Sequence, residues 1–560
     1  MSQSQHPARA AAVLLAIAAL STATATAQVA RPLPAVGLVQ AAPAATEPVR
    51  RLSLDDAVKL ALEQNLGIRI QRIDPQIQDV GVAQARSFWA PNLATTFTRN
   101  AQTQRSTSAL SGGATSVENG VFSSGVEVNQ LLPWGGRYAA DFGGSRYTTT
   151  NLFSNFSPQL QSAVTFNYTQ PLLRNFTIDQ VRQQVQLSGK VRDLSNTQLE
   201  AVIVLTTRNV KNAYWDLSYA RNNLTAQRQS LELAQRSLRD NQRRVEVGTM
   251  APIDIVQAQA EVAVNEQNVI VAQAAIKLDE DRLRALIFDP DQPDFWQTTI
   301  EPTDAAPFEV QAVDVDAAIQ RALDRRSDLA QAKNSIEQSD VNIRYFRNQL
   351  LPDVNASFNY ISTGVGGVQL SAVDPFAIVG GGAIPARSIV ADRGLGSVLG
   401  DVVQGAYPNW TVGVSVGYPL GTSTAQANLA RARLQYQQAQ TQLKSLRLQI
   451  VAQVRDAARQ VQTNQQRVRS ARASRELQEK KLDAEEKKQA AGMSTSFYVI
   501  QAQRDLSQAR TQEIQAIADY NKSLVDFEAV QEVSLSGGGP GVTTAGAGAI
   551  QSGGSAIIRQ

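Results

Sequence analysis

The sequence predicts an α+β membrane protein. In this fold a transmembrane β-barrel, shared between chains with about four strands from each, continues into a long periplasmic α-helical coiled-coil barrel. Three observations predict it. The chain opens with an export signal, and it contains two internal repeats that each join strands to long helices with a seven-residue apolar period. Its strands also alternate apolar with small polar side chains.

The composition argues against catalysis and against metal binding. The chain has 560 residues and no Cys, and its one His is His6, inside the segment predicted to be cleaved. Without Cys or His, disulfides, thiolate nucleophiles, most acid–base triads and most transition-metal sites are excluded. The 53 basic and 50 acidic side chains leave a net charge of +3, which is too balanced for binding nucleic acid through its phosphates. We therefore expect no enzyme, no cofactor, no metal site and no nucleic-acid partner.

Both ends of the chain are predicted to lie outside the folded body. Residues 1–27 have the pattern of a signal peptide, with a short apolar run and a small-x-small cleavage site that ends at Ala27. The Pro- and Ala-rich residues 28–50 are expected to form an extended linker. The Gly-rich residues 534–560 are expected to form a disordered tail.

The sequence between these ends is duplicated. The first repeat covers residues 51–289 and the second covers residues 313–533, with a linker or belt at residues 290–312. At a constant offset of 261, Asp55, Ala57, Ala61, Leu62, Asp79, Val80, Arg86 and Pro91 recur as Asp316, Ala318, Ala322, Leu323, Asp340, Val341, Arg347 and Pro352. The turn at Gly248 recurs at Gly492 with an offset of 244, which indicates loop insertions. So long a period is not that of a solenoid and suits two equivalent halves of a ring.

Each repeat is predicted to contain one long helix with shorter helices beside it. The long helices are expected at about 176–246 and 423–490, and each would be ~105 Å long at ~1.5 Å per residue. A seven-residue apolar period predicts left-handed coiled-coil packing and comprises Val210, Leu217, Leu224, Leu231, Leu238 and Val245, then Val454, Val461 and Val468. Shorter helices are expected near 52–65, 67–89, 254–286, 328–350 and 498–530. Pro75 should kink or restart the second of them.

Four segments have the alternation of membrane strands, and they are residues 93–98, 164–169, 354–360 and 410–418. Each strand alone would also suit a soluble β-sandwich, and the export signal and adjoining helices favour the barrel. A closed barrel needs about eight strands, so two copies of the chain would give eight and three would give twelve. Residues 122–147 could add a hairpin to the first repeat. They and the Gly-rich residues 364–406 are expected to form exposed loops at one barrel end.

The order of these elements resembles that of the TolC-type outer membrane efflux proteins over residues 50–533. The resemblance rests on Leu52–Leu62, on the Gly…Asp…Gln-Ala-Gln helix turns and on motifs that flank the strands. These motifs are Pro91-Asn92-Leu93, Leu351-Pro352-Asp353, Tyr168-x-Gln170-Pro171-Leu172-Leu173 and Gly417-Tyr418-Pro419-Leu420. The resemblance implies a homotrimer in the outer membrane with a 12-strand barrel and a 12-helix tunnel. It also implies the exit duct of a tripartite efflux or type I secretion system, whose helix tips dock onto a periplasmic adaptor (membrane fusion) protein bound to an inner-membrane pump.

The turns between the long helices and their successors are the candidate functional site. Gly248 and Gly492 fit C-cap positions that require positive φ. The resemblance implies adaptor docking by Gly248, Thr249, Met250, Pro252, Gly492, Met493 and Ser494. It also implies a constriction at Asp254, whose copies would form an anionic ring, with Tyr498 at the corresponding place in the second repeat. The alternatives are that the glycine turns only end one helix and start the next, and that Asp254 only stabilises a helix N-terminus.

The sequence leaves two further alternatives open. The Tyr and Arg that hold the gate in many family members have no equivalents here, and the candidates to replace them are Arg243, Arg244, Lys487 and Lys488. Such charges are more often solvated. The helices alone would also suit a soluble periplasmic coiled-coil adaptor or scaffold, which is the alternative to an outer membrane channel. Nothing in the sequence indicates the transported substrate.

Overall fold

A computed structural model describes residues 49–106, 115–291, 295–304, 308–373, 387–421 and 423–535. The predicted signal peptide, nearly all of the predicted linker and most of the predicted tail lie outside these residues. Within the described ranges, no helix has both the length and the apolar character needed to cross a lipid bilayer.

The first repeat runs from helices through strands to a long helical hairpin. Its elements are β1 (Val49–Leu52), α1 (Leu54–Gln64), α2 (Leu66–Ser87), β2 (Asn92–Arg105), β3 (Ser116–Leu131), β4 (Arg137–Thr149), β5 (Phe156–Pro171), α3 (Gln180–Glu246) and α4 (Ile253–Ile287). Strand β6 (Thr299–Pro302) follows in the segment between the repeats. It pairs in parallel with β1, so this segment is tied to the start of the first repeat.

The second repeat has the same order with fewer long strands. Its elements are α5 (Val315–Arg325), α6 (Ser327–Asn348), β7 (Asp353–Leu370), β8 (Ile389–Arg393), α7 (Leu395–Gln404), β9 (Pro408–Gly417), α8 (Thr424–Ala490) and α9 (Ser496–Ala529). The seven predicted helices lie within a few residues of their predicted positions, and α5 and α7 were not predicted. Several begin at side-chain caps: Asp179 accepts a hydrogen bond from the backbone N–H of Arg182, and Ser423 accepts one from that of Gln426.

The helix does not restart at Pro75, because α2 continues through the proline from Leu66 to Ser87. Proline removes one backbone hydrogen bond from a helix interior. Since α2 packs along α3, tertiary contacts hold the turns on either side of that gap.

Val210 and Leu217 of the first predicted seam and the three predicted positions of the second are buried between the helices, whereas Leu224, Leu231, Leu238 and Val245 are only partly buried. Val210 and Leu217 of α3 pack with Leu283 and Ile287 of α4 in one apolar core. A second core contains Val454, Val461 and Val468 of α8, packed with Ala318 and Ala322 of α5 and with Tyr520 of α9. Burial of these positions joins each long helix to its neighbours, as coiled-coil packing requires.

The strands form one antiparallel sheet in which β2, β3, β4, β5 and β7 are neighbours in that order. The other edge of β7 pairs with β9 over Asp353–Ser362 and with β8 over Gly367–Leu370. In a single chain this sheet is not closed, since β2 stands at one end and β9 at the other.

The prediction of about four strands per chain is therefore too low. The four predicted segments lie in β2, β5, β7 and β9, and the hairpin β3–β4 adds two long strands between β2 and β5. Residues 122–147 thus belong to the sheet and are not a loop. Residues 364–406 are not simply a loop either, because β7 continues to Leu370 and is followed by β8 and α7. Glycine and serine interrupt the alternation in these stretches, for example at Gly120, Ser124 and Gly144, and so weaken the sequence signal.

The strand register gives the sheet one apolar and one polar face. One row of directly paired residues consists of Leu93, Val128, Ala140, Phe166, Tyr360 and Trp410. The neighbouring row, on the opposite face, consists of Asn92, Asn129, Ala139, Asn167, Asn359 and Thr411. We call the side with Leu93 the apolar face and the other the polar face. Apolar side chains such as Phe97 and Val412 are exposed in the single chain, as expected of a surface that faces lipid.

Candidate functional site

Both long helices end in the same backbone motif. Gly248 has φ +77° and Gly492 has φ +75°, which confirms the predicted left-handed C-caps. The N–H of Thr249 donates to the carbonyl of Arg244 (2.8 Å), and the N–H of Met493 donates to that of Lys488 (2.9 Å). These bonds satisfy carbonyls that would be free at a helix end and define Schellman turns. The two tips therefore have one geometry although their side chains differ.

The helices that follow the turns start differently. Pro252 adopts helical angles just before α4, as suits a proline at a helix start. At α9 the N-cap is Thr495, and its side chain makes no capping bond. The Ser494 hydroxyl instead donates to Glu485 of α8 at 2.9 Å. Hydrogen bonds from Lys488 and Ser494 lower the pKa of Glu485, so this carboxylate stays charged and ties the turn to the end of α8.

The tips expose apolar side chains to solvent. Met493 is 75% exposed and Val247 is 73% exposed. Ile253 and Phe497 are also exposed, and Tyr498 packs edge-on against Phe497 with its own ring exposed. A cluster of exposed apolar groups at the end of a long helical structure is typical of a surface that another protein covers.

Asp254 lies in the first turn of α4, and its carboxylate accepts a hydrogen bond from the hydroxyl of Ser496 in the second repeat. This contact links the two helix tips of one chain. Tyr498, predicted to share the constriction, lies two residues beyond Ser496. Ser496 itself is buried.

A second link lies about two helical turns beyond the first. Arg504 of α9 donates to one carboxylate oxygen of Glu261 of α4 through Nη2 at 2.6 Å and Nε at 2.7 Å. The other oxygen of Glu261 accepts from the side-chain amide of Asn265 at 3.1 Å. The Glu261 side chain is only 6% exposed, whereas that of Arg504 is 54% exposed. This pair was not predicted from the sequence, in which its one signal is an acidic residue beside Val262 in α4.

Further contacts continue the connection between the repeats. The hydroxyls of Ser230 and Ser507 are 2.9 Å apart, and the amide of Gln227 lies 3.2 Å from the hydroxyl of Thr511. A cleft of about 450 Å³ runs beside them, lined by α3, α4 and α9. The contacts between the repeats near the tips are thus polar, as are the ion pairs Arg208–Asp526 and Lys522–Asp216 farther from the tips.

Three of the four basic residues considered as a replacement gate form ion pairs within their own helix. Arg243 approaches Asp240 at 3.9 Å, Lys487 approaches Asp483 at 2.6 Å, and Lys488 approaches Glu485 at 2.7 Å. Each of these pairs lies within one helix, as is usual for solvated helix charges.

Comparison with known proteins identifies the family. The sequence profile of the outer membrane efflux protein family matches residues 57–287 and residues 318–530, one segment in each repeat. The chain belongs to this family. No curated protein sequence matches it closely enough to count as a relative.

Solved outer membrane proteins share its fold. VceC from Vibrio cholerae aligns with a TM-score of 0.58 and 16% identity, over 86% of this chain and 96% of that chain. CmeC from Campylobacter jejuni aligns with a TM-score of 0.58 and 14% identity, over 86% of this chain and 85% of that chain. The open state of MtrE from Neisseria gonorrhoeae aligns with a TM-score of 0.56 and 16% identity, over 86% and 89% of the two chains.

The family assignment makes this chain an outer membrane efflux channel with a periplasmic helical extension, and it is a channel rather than an enzyme. A soluble periplasmic scaffold is therefore no longer an alternative. The two matched segments also confirm that the sequence is duplicated.

Proposed function

We propose that three copies of this chain form the exit duct of a tripartite efflux or type I secretion system. The duct is a passive conduit that opens at its periplasmic helix tips when an adaptor protein docks there, and an inner-membrane pump supplies the energy. The observation that carries this proposal is the pair of contacts, Asp254–Ser496 and Glu261–Arg504, that joins the two helix tips of one chain.

The open sheet edges support sharing of the barrel between copies. Strands β2 and β9 run in opposite directions at the two ends of the sheet, so β9 of one copy can pair antiparallel with β2 of the next. Six long strands from each of three copies would give eighteen, not the twelve that the resemblance implies. Because barrel diameter grows roughly linearly with strand number, such a barrel would be ~1.5 times as wide as one of twelve strands.

The two contacts act as the latch in this proposal. To widen the periplasmic end, the hairpin α3–α4 has to separate from α9, and this motion breaks both contacts. The Glu261 carboxylate is buried, so it loses its cation without gaining full hydration, which disfavours the open state. Copies of Asp254 around the axis would add an anionic constriction that favours cations.

Adaptor docking at the tips is the remaining step. The exposed side chains of Val247, Met493 and Phe497 offer apolar area, and the turns at Gly248 and Gly492 offer backbone free of bulky side chains. A partner that covers this area binds through the burial of apolar surface, and part of that free energy can offset the cost of separating the hairpins.

Conductance in planar lipid bilayers tests the proposal. The purified protein should form pores with low conductance at rest, and Asp254→Ala should raise it. Cross-linking tests docking: because the chain has no native Cys, a single cysteine at Thr249 or Met493 can carry a cross-linker, with Tyr407→Cys at the opposite end of the sheet as the control. Capture of an adaptor from the tips and not from position 407 is expected. A protein that forms no pores, or a control that captures the adaptor equally, would contradict the proposal.

A further inference from the structure

Two arginines stand on the apolar face of the sheet. Arg99 of β2 and Arg146 of β4 are each paired directly with Phe122 of β3, so both lie on the same face as Phe122. Both are exposed, and neither has an ion-pair partner among the described residues. A charge on a lipid-facing surface is costly near the middle of a membrane and tolerated near its edge. The position of the two arginines along the strands therefore decides whether they can face lipid.

The two arginines lie at the end of the apolar band that is farther from the long helices. Leu160 of β5 is the direct partner of Arg146. The stretch of β5 from Tyr168, near the helices, to Leu160 measures ~27 Å along the strand at ~3.4 Å per residue. Because barrel strands are tilted by about 40°, it covers ~21 Å of height, which is most of the ~25 Å apolar band of outer membrane barrels. The two arginines therefore lie where the hydrocarbon ends and the lipid headgroups of the outer leaflet begin.

The position of helix α7 is a second observation that supports this placement of the arginines. Leu160 pairs with Gly366 of β7, and a Cβ at Gly366 would come within 2.5 Å of Val398 of α7. The helix thus lies on the apolar face, with Val398 at the level of the arginines and Val402 nearer the middle of the band, where its carbonyl accepts a hydrogen bond from Ser362. Val398 is fully buried against the sheet, whereas Leu395 and Val403 are exposed on the outer side of the helix. A short helix with apolar groups on both sides fits the boundary between acyl chains and headgroups.

We propose that Arg99 and Arg146 bind the phosphate groups of a phosphorylated lipid in the outer leaflet, with α7 and Phe122 contacting its acyl chains. A guanidinium holds phosphate through two parallel hydrogen bonds, and its weak hydration lets it do so at an apolar boundary. The two arginines flank one strand and so lie ~10 Å apart across the sheet, which suits a headgroup with more than one phosphate. The proposal rests on the channel lying in the outer membrane with its helices in the periplasm.

Native mass spectrometry of the detergent-solubilised channel tests this proposal with three probes: bisphosphorylated lipid A, dephosphorylated lipid A and phosphatidylcholine. The wild type should retain bisphosphorylated lipid A preferentially. The double variant Arg99→Gln/Arg146→Gln should lose roughly tenfold in its occupancy, whereas Arg99→Lys/Arg146→Lys should keep part of it. The matched control is Arg137→Gln, an exposed arginine on the polar face at the helix end of β4, which should change nothing.

Equal retention of bisphosphorylated lipid A by the wild type and the double Gln variant would overturn the proposal. So would equal binding of phosphorylated and dephosphorylated lipid A by the wild type, since apolar contact alone would then explain it. Excess inorganic phosphate that displaced the lipid completely would also overturn it, because the site would then hold free phosphate. Pore conductance in phosphatidylcholine bilayers, recorded for the same proteins, tests the channel separately, so failure of one proposal is distinguishable from failure of the other.

Discussion

Removing Arg504 tests whether the contact between the repeats keeps the tip closed. Arg504→Ala leaves the Glu261 carboxylate buried with only Asn265 as a side-chain partner. A hydrogen bond to a charged group contributes about 1.5–3 kcal/mol, and because the Arg504 side chain is 54% exposed, the lower value applies. If three copies open together, the closed state loses about 4.5 kcal/mol, which is a ~10³-fold change in the ratio of closed to open channels.

Single-channel recording in planar bilayers measures this ratio directly. The matched control is Lys481→Ala, which removes an ion pair of 2.7 Å to Asp505 between α8 and α9, inside one repeat. We expect Arg504→Ala to raise the open probability strongly and Lys481→Ala to leave it near the parent value. In a double-mutant cycle, adding Glu261→Gln to Arg504→Ala should raise it little further. An Arg504→Ala channel that stays as closed as the parent, or a Lys481→Ala channel that opens as much, would refute the reasoning.

Three other predictions test the barrel, the tip and the helical core. Phe97→Cys combined with Val414→Cys, or with a cysteine at position 412 or 416, should give disulfide-linked oligomers on gels. Because a disulfide needs Cα atoms within ~7 Å, the absence of a product from all three combinations would contradict β2–β9 pairing. Gly248→Ala should lower adaptor affinity in a binding assay through strain of about 1 kcal/mol at φ +77°, whereas Gly189→Ala, inside α3 with equal free space, should not. Burial raises the pKa of Tyr214 to about 12 from an unfolded value of ~10, so its contribution to stability is complete below pH ~10 and is lost as the pH rises through about 12. Thermal unfolding between those pH values should show a smaller alkaline loss for Tyr214→Phe, and an unchanged loss would contradict the assignment.

The helices could be predicted from the sequence because local patterns determine them. A seven-residue apolar period fixes both the helix and its buried seam, so Val210 and Val454 lie in cores as expected. The positive φ of Gly248 and Gly492 could also be predicted, since a helix C-cap with positive φ favours glycine.

The additional hairpin was harder to assign because its evidence is spread over neighbouring strands. Gly144 and Arg146 in β4 break the apolar alternation within that strand. Only the register shows that Arg146 lies between Phe122 and Leu160 on the apolar face and that Gly366 makes room for α7. The alternation along one strand does not show which residues of the neighbouring strands lie beside it. The position of these residues within the sheet could therefore not be predicted from the sequence pattern.

The Glu261–Arg504 pair could not be predicted because it depends on how the two repeats have diverged. At the offset of 244, Glu261 corresponds to Asp505, so both repeats carry an acid at this place. In the second repeat Lys481 of the adjacent helix neutralises Asp505 and lowers its pKa.

In the first repeat the position equivalent to Lys481 is Ser237, which cannot neutralise Glu261. The second repeat supplies the missing charge, because Arg504 stands where the first repeat has Ala260. Two identical repeats would each have satisfied their own acid, and this ion pair between the hairpins would not have formed. Because the first repeat has Ser237 opposite Lys481 and Ala260 opposite Arg504, the acid that forms an internal ion pair in the second repeat forms a contact between the hairpins in the first. Ser237→Lys should then weaken the latch by giving Glu261 a partner within its own hairpin, and it should raise the open probability without removing any residue of the contact.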